Sequence, residues 1–221
     1  MIPQKGLFIV FEGIDGSGKT IQIAHLLHYI RTTGNKYQKI YSTREPTHFA
    51  QEVIVALQSE QDAYASKDLM LQGYVQDRIQ HSELEITPLL QRGAVVLCDR
   101  YRMSTDAFQT AQGLDKQQVI EAQEHPSILV PHITFLLDIP PHVGIQRMQH
   151  RGGIQDKFDD AGVEFHTKVR EQYLSLAREK QASSRYGTIY IIDGNRDPVH
   201  IAQDISALFF KEYKRWLEQE K

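Results

Sequence analysis

Eight consecutive residues, Gly13, Ile14, Asp15, Gly16, Ser17, Gly18, Lys19 and Thr20, fit the spacing G-x-x-x-x-G-K-[ST]. That spacing suits one task, the holding of a polyphosphate. Gly13, Gly16 and Gly18 let the backbone turn tightly and aim successive N–H groups at phosphate oxygens, at the positive end of the helix that follows. Lys19 then reaches the β- and γ-phosphates, and the Thr20 hydroxyl ligates Mg²⁺. A glycine-rich turn without a nucleotide is the competing reading. The flanks argue against it, because the apolar run Leu7 to Phe11 precedes the loop and Ile23, Leu26, Leu27 and Ile30 recur at helical spacing after it. Nucleotide binding is therefore expected.

Other charged residues stand where apolar runs stop. Val95-Val96-Leu97-Cys98 is followed by Asp99-Arg100-Tyr101. A carboxylate there can hold Mg²⁺ through water, and a guanidinium can grip a phosphate with its planar fork. A structural Asp–Arg pair capping the strand is the alternative. Ile40 to Thr43 is followed by Arg44-Glu45-Pro46, which reads equally well as a proline-stiffened loop with a surface salt bridge. Between Arg147 and Lys157 lies a basic cluster. Arg147 and Arg151, four apart, share a helix face, and Gly152-Gly153 ends that helix. A flexible basic segment beside a phosphate site describes a lid over about residues 147–162 that neutralises transferring charge and excludes water. A solvated loop with incidental charge is the alternative. His25 and His28 share a face but lack a third ligand, so solvent-facing side chains are expected there.

Five apolar runs have to position these residues: Leu7 to Phe11, Ile40 to Thr43, Ala94 to Cys98, Ile133 to Leu137 and Thr188 to Ile192. Each is rich in β-branched or aromatic residues, and each is separated from the next by helical patterning. Such continuous hydrophobicity predicts strands covered on both faces, hence an α/β fold with a parallel sheet and a ligand crevice at the strands' carboxyl ends. Gly34 closes the first helix, Thr87-Pro88 restarts a helix ending before Gly93, Pro140-Pro141 opens another and Asp197-Pro198 opens the last. Ile201, Ile205, Leu208, Phe209, Tyr213 and Trp216 form a core-facing stripe on that last helix.

Composition narrows the partners. A chain of 221 residues buries about 70% of the surface its unfolded form exposes, enough for one domain with a substantial core. The formal charge of −3 excludes the strongly basic footprint of a nucleic-acid-coating surface, so a monomeric nucleotide is the expected partner and no nucleic acid is. A lone cysteine, Cys98, inside an apolar run reads as a buried thiol. No run of 18 apolar residues and no signal peptide precede the first strand, so no membrane partner and a cytoplasmic location are expected.

From F-E-G-I-D-G-S-G-K-T through T-R-E-P, Y-V-Q-D-R, D-R-Y-R-M-S-T-D-A-F-Q and L-D-I-P-P to the basic segment, the chain resembles the thymidylate kinases, which transfer the γ-phosphoryl of ATP to dTMP. The resemblance covers almost the whole chain. It implies a P-loop NTPase fold over 1–221, a five-stranded parallel sheet flanked by helices on both faces, a short mobile lid, Mg²⁺ as cofactor and a homodimer built on helices. It implies that Asp15 accepts a hydrogen bond from the sugar 3′-hydroxyl. Tyr74, one turn before Arg78 on the same helix face, would stack on the pyrimidine while Arg78 donates to its O4. Without the resemblance that pair reads as an ordinary surface pair. Arg100 would bind the acceptor phosphate, Asp99 would organise the metal with Thr20, and Arg44, Ser104, Thr105 and Gln109 would line the acceptor site.

Three departures from the family pattern stand out. Phe108 occupies a position that often holds Tyr, keeping the bulk that crowds a ribose 2′-hydroxyl but losing the phenol. Gly16 replaces the catalytic arginine that some members carry in the phosphate loop, so the catalytic charge must come from the lid. Asp156-Lys157 stands for Asp-Arg, and lysine makes no bidentate phosphate contact, which leaves Arg151 as the transition-state arginine with Lys157 assisting. Two alternatives compete: another nucleoside monophosphate or deoxynucleoside kinase of this fold, or a P-loop ATPase or switch. A GTPase would need N-K-x-D, and Asn35-Lys36-Tyr37-Gln38 lacks the final Asp.

Overall fold

The computed structural model describes residues 6–33, 39–50, 67–151, 162–179 and 182–219. Five strands, β1 (Leu7–Glu12), β2 (Ile40–Arg44), β3 (Val95–Asp99), β4 (Ile133–Asp138) and β5 (Thr188–Asp193), form one sheet in the order β2-β3-β1-β4-β5. Every pairing is parallel. The chain leaves β1 for β2, returns to β3 beside β1 and then crosses to β4 on β1's other flank. That reversal opens a crevice at the carboxyl end of β1, where open α/β sheets take their ligands.

Side-chain alternation along the central strands feeds two cores. Leu7, Ile9 and Phe11 of β1 pack with Leu26 and Ile30 of α1 (Lys19–Thr33) and with Ile201, Ile205 and Phe209 of the last helix (Pro198–Gln219). Phe8 and Val10 face the other way, against Ile86, Leu90 and Tyr101. Helices thus cover both faces of the centre. The edge strands differ from expectation: all five β2 residues, Ile40 to Arg44, are exposed or half-buried, and in β5 only Ile192 is buried. Edge position, rather than sequence, leaves them less covered.

Two further expectations need correction. Each strand runs one residue past its apolar run, so Glu12, Arg44, Asp99, Asp138 and Asp193 belong to the ladder and stand together along one rim. Nor does a helix restart at Thr87-Pro88. The helix α2 (Lys67–His81) continues through a π-helical segment, Ser82–Ile86, into α3 (Thr87–Gln91), with both His81 and Thr87 in helical conformation. The wider turn removes the need for a hydrogen bond from Pro88, which has no N–H to give. Downstream lie α4 (Arg102–Ala111), α5 (Lys116–Ala122), α6 (Pro141–Arg151), α7 (Gly162–Ala177), α8 (Ala182–Tyr186) and α9 (Pro198–Gln219). Asp197 caps α9 by accepting from Val199 N at 2.8 Å. Gly34 and Gly152-Gly153 lie outside the described residues.

Candidate active site

The loop between β1 and α1 is shaped by contacts to its neighbours. Gly13 has φ +137°, and a Cβ on it would stand 2.5 Å from the Leu137 carbonyl oxygen. Gly16 has φ +73°, and a Cβ there would stand 2.7 Å from Gly144 Cα of α6. Gly144 returns the constraint, since its own Cβ would lie 2.5 Å from the Asp15 carbonyl oxygen. Main chain therefore packs directly on main chain, and only glycine permits it. Ile14, 2% exposed, pins the loop into the core beside Ile139. The Ser17 hydroxyl is buried without a partner among the described residues.

Lys19 folds back over this loop, its Nζ donating to the carbonyls of Gly13 and Ile14 at 3.1 Å each. Burial strips water from its ammonium, and Arg100 repels it, which brings its pKa down to about 8. Thr20, at the start of α1, donates from Oγ1 to Asp99 Oδ2 at 2.8 Å. The hydroxyl and the carboxylate are hard oxygen donors that meet across the loop. Among the described residues no group of three or more His, Cys, Asp or Glu can hold a metal alone. A pair of oxygens beside a phosphate cradle fits Mg²⁺, which keeps several waters and shares phosphate oxygens.

Arg100 follows β3 with φ +69°, the left-handed region, at a cost of roughly 1–2 kcal/mol for a non-glycine residue. The turn is held by Arg100 N, which donates to Phe11 O at 2.9 Å, and by the Cys98 thiol, which donates to Arg100 O at 3.0 Å. It swings the guanidinium across the rim into an ion pair with Asp15. Nη1 of Arg100 also donates to Gly13 O at 3.2 Å, Ser104 Oγ at 3.1 Å and Tyr173 OH at 3.3 Å, and the group lies 5.0 Å over the Phe108 ring. Burial raises the Asp15 carboxyl, but the charges of Arg100 and Lys19 outweigh it and hold the pKa below the ordinary value.

Beneath Arg100 sits a residue that the sequence reading missed. Glu12, the last of β1, is fully buried. Its Oε1 accepts from Tyr101 N at 2.9 Å and Ser104 N at 3.2 Å, and its Oε2 accepts from Ser104 Oγ at 2.5 Å and Tyr173 OH at 3.1 Å. Burial pushes its pKa up to about 7 against these bonds and the Arg100 charge. Glu12 thereby ties the start of α4 and the middle of α7 to the end of β1.

A cavity opens beside Arg100. It is lined by Asp15, Arg44, Glu45 and Pro46 from the rim, by Tyr74 and Arg78 from α2, and by Ser104, Thr105, Phe108 and Gln109 from α4. All nine residues expected at the acceptor site thus meet at one cavity, although they come from four separate stretches of chain. Arg44 is exposed, and its neighbour Glu45 turns inward. Glu45 Oε2 accepts from Arg78 Nε at 2.8 Å and Nη2 at 2.6 Å, and Oε1 meets His81 Nδ1 at 3.0 Å. His81 Nε2 lies 2.9 Å from Thr43 Oγ1. Arg78 is therefore no surface residue: it is 2% exposed, and the Glu45 charge outweighs burial to raise its pKa. Asp77 holds the same loop to α2 by accepting from Thr47 N at 3.0 Å. Gln109 is fully buried on the cavity side of α4, and both its amide atoms lack a partner among the described residues.

Arg147 of α6 donates from Nη1 to Gly16 O at 3.3 Å and Gly194 O at 3.2 Å, and it does not line the cavity beside Arg100. The Arg151 side chain and Lys157 lie outside the described residues.

A model of the family described as thymidylate kinase matches residues 11–205. A thymidylate kinase of Ruegeria pomeroyi is 34% identical over 95% of this chain and 97% of its own length. One from Trichodesmium erythraeum is 34% identical over 96% of this chain and 98% of its own. A probable thymidylate kinase of Staphylothermus marinus is 32% identical over 94% of this chain and 96% of its own length. With its phosphate loop, its rim of charges and near full-length similarity to such enzymes, the chain belongs to the thymidylate kinase family.

Proposed function

We propose that this chain transfers the γ-phosphoryl of ATP to dTMP, giving ADP and dTDP on the way to dTTP. The observation that carries the reading is the juxtaposition of the phosphate loop with a cavity whose mouth holds Arg100 and Asp15 and whose wall holds Arg78 and Gln109. An unpartnered buried amide costs about 1–3 kcal/mol, and a base with ring N–H and carbonyl groups satisfies it.

On the donor side, the loop amides from Gly13 to Gly18 cradle the β- and γ-phosphates, and Lys19 leaves two backbone carbonyls for phosphate oxygens. Thr20 and Asp99 would hold Mg²⁺, which neutralises charge between the phosphates when bound. On the acceptor side, Arg100 exchanges Asp15 for the dTMP phosphate, and Asp15 is released to accept from the sugar 3′-hydroxyl. Tyr74 stacks on the pyrimidine, Arg78 donates to O4, and Phe108 crowds the place of a 2′-hydroxyl. Ser104, Thr105 and Arg44 complete the walls. Arg151 and Lys157 supply charge over the migrating group. Positioning and charge neutralisation carry the rate, because a phosphate that is already anionic at neutral pH needs no general base. Family membership also supports a homodimer working in the cytoplasm, where ATP and Mg²⁺ are available.

The test is a panel of nucleoside monophosphates with Mg²⁺-ATP, quantifying ADP and diphosphate together. dTMP should give equimolar dTDP and ADP, and dCMP, whose amine faces Arg78, should be used poorly. ADP formed without dTDP would identify a hydrolase instead.

A further inference from the structure

The cavity is served by residues that never reach it. A guanidinium has five N–H donors, one on Nε and two on each Nη. In Arg78, Nε and one Nη2 N–H go to Glu45 Oε2, the other Nη2 N–H goes to Thr105 Oγ1 at 3.0 Å, and one Nη1 N–H goes to Gln123 Oε1. Four donors are committed. The fifth, on Nη1, has no acceptor among the described residues, and Arg78 lines the cavity.

Gln123 follows α5, is fully buried and is absent from the cavity wall. Its Nε2 donates to Asp106 Oδ1 at 2.6 Å, while Asp106 Oδ2 accepts from Tyr186 OH at 2.7 Å. This arrangement forbids the amide from turning over. Reversed, its NH₂ would meet the guanidinium donor to donor, and its oxygen would meet the carboxylate.

We infer that Gln123 is a positioning residue for base selection: acting through Arg78, it leaves a single N–H in one fixed direction for a base carbonyl. The inference rests on the acceptor reading given above. With Gln123 in place, a base that carries an amine at that point meets a donor and has no alternative partner. Without it, Nη1 has two uncommitted donors and loses the contact opposite Glu45 that fixes its plane, so the preference for a carbonyl weakens.

Two variants test this, read as the ratio of kcat/KM for dTMP to that for dCMP, with Tm and the KM for ATP measured alongside. Gln123→Met keeps the length and fills the space but offers no acceptor. It should cut the ratio about tenfold, mainly by raising the KM for dTMP, and leave the KM for ATP within about twofold. Gln123→Glu keeps an acceptor oxygen toward Arg78. Its second oxygen faces Asp106, whose carboxyl is shifted upward by burial, so a shared proton replaces the amide N–H. It should hold the ratio within about threefold whatever its Tm. A Met variant in which both nucleotides lose efficiency in parallel has lost only structure and overturns the inference. So do Met and Glu variants that lose the ratio equally. If Gln123→Met does not fold, Gln123→Asn, one methylene short of Arg78, replaces it with the same two outcomes. Wild-type protein that forms no dTDP would refute the acceptor reading itself, which a failed Gln123 test leaves untouched.

Discussion

The two sides of this site are made of different material. The donor side is built mostly of main chain, with loop amides, a helix end and two glycines that let the loop lie against α6, and only Lys19, Thr20 and Asp99 of those discussed add side chains to it. The acceptor side is side chain, with buried charges from β1, the loop after β2, α2 and α4 holding one another in place. Main chain recognises what every nucleoside triphosphate shares. Side chains can distinguish one base from another, but each must be fixed by a further residue behind it, as Glu45 fixes Arg78 and Glu12 fixes Ser104.

The contrast can be broken by experiment. The largest effect is expected on the donor side, where Lys19→Ala should lower kcat by ~10²–10³-fold with either acceptor nucleotide, since it removes charge from the phosphates themselves. Single-turnover measurement of dTDP formation checks this. Arg100→Ala should come next, lowering kcat/KM for dTMP by about 10²-fold while the KM for ATP stays within about threefold. Steady-state kinetics like those of wild type would remove Arg100 from the acceptor site. An equal loss for both substrates would erase the division between the sides.

The smallest effect concerns stability beneath the acceptor side. Glu12 has an ordinary value of 4.5 and a folded value of about 7, so between those values the native state keeps a proton that the unfolded chain has lost. Stability from this group is therefore present below about pH 4.5 and declines by about 3 kcal/mol as pH rises to about 7. Glu12→Gln cannot titrate. Its Tm should rise relative to wild type between about pH 5 and pH 8, and parallel pH profiles from calorimetry would show that Glu12 is ionised throughout.

The donor side was legible because its signal is local: eight adjacent residues with a strand before them and a helix after. All five strands were legible too, but each ended one residue early. An apolar run stops at the first charge, whereas the ladder continues through Glu12, Arg44, Asp99, Asp138 and Asp193. The recurrence of a charge after every run was the signal that would have found Glu12. No local pattern links residue 15 to residues 44, 78 and 109, so resemblance alone gathered them. Gln123 carried no signal at all, because an isolated glutamine past a short helix looks like solvent-facing polarity until Arg78 is seen beside it. The proline at residue 88 misled because the π-helical segment absorbs it.

Gly16 and Gly144 bear on how this sequence can change over time. A side chain at residue 16 would drive into the Gly144 backbone and one at residue 144 into the Asp15 carbonyl oxygen, so neither glycine can be exchanged alone. An arginine in the loop at residue 16 would require α6 to retreat first, and α6 is also where Arg147 grasps the loop. Descendants of this chain are thus held to a bare loop, and any gain of cationic charge over the phosphates has to arise on another segment.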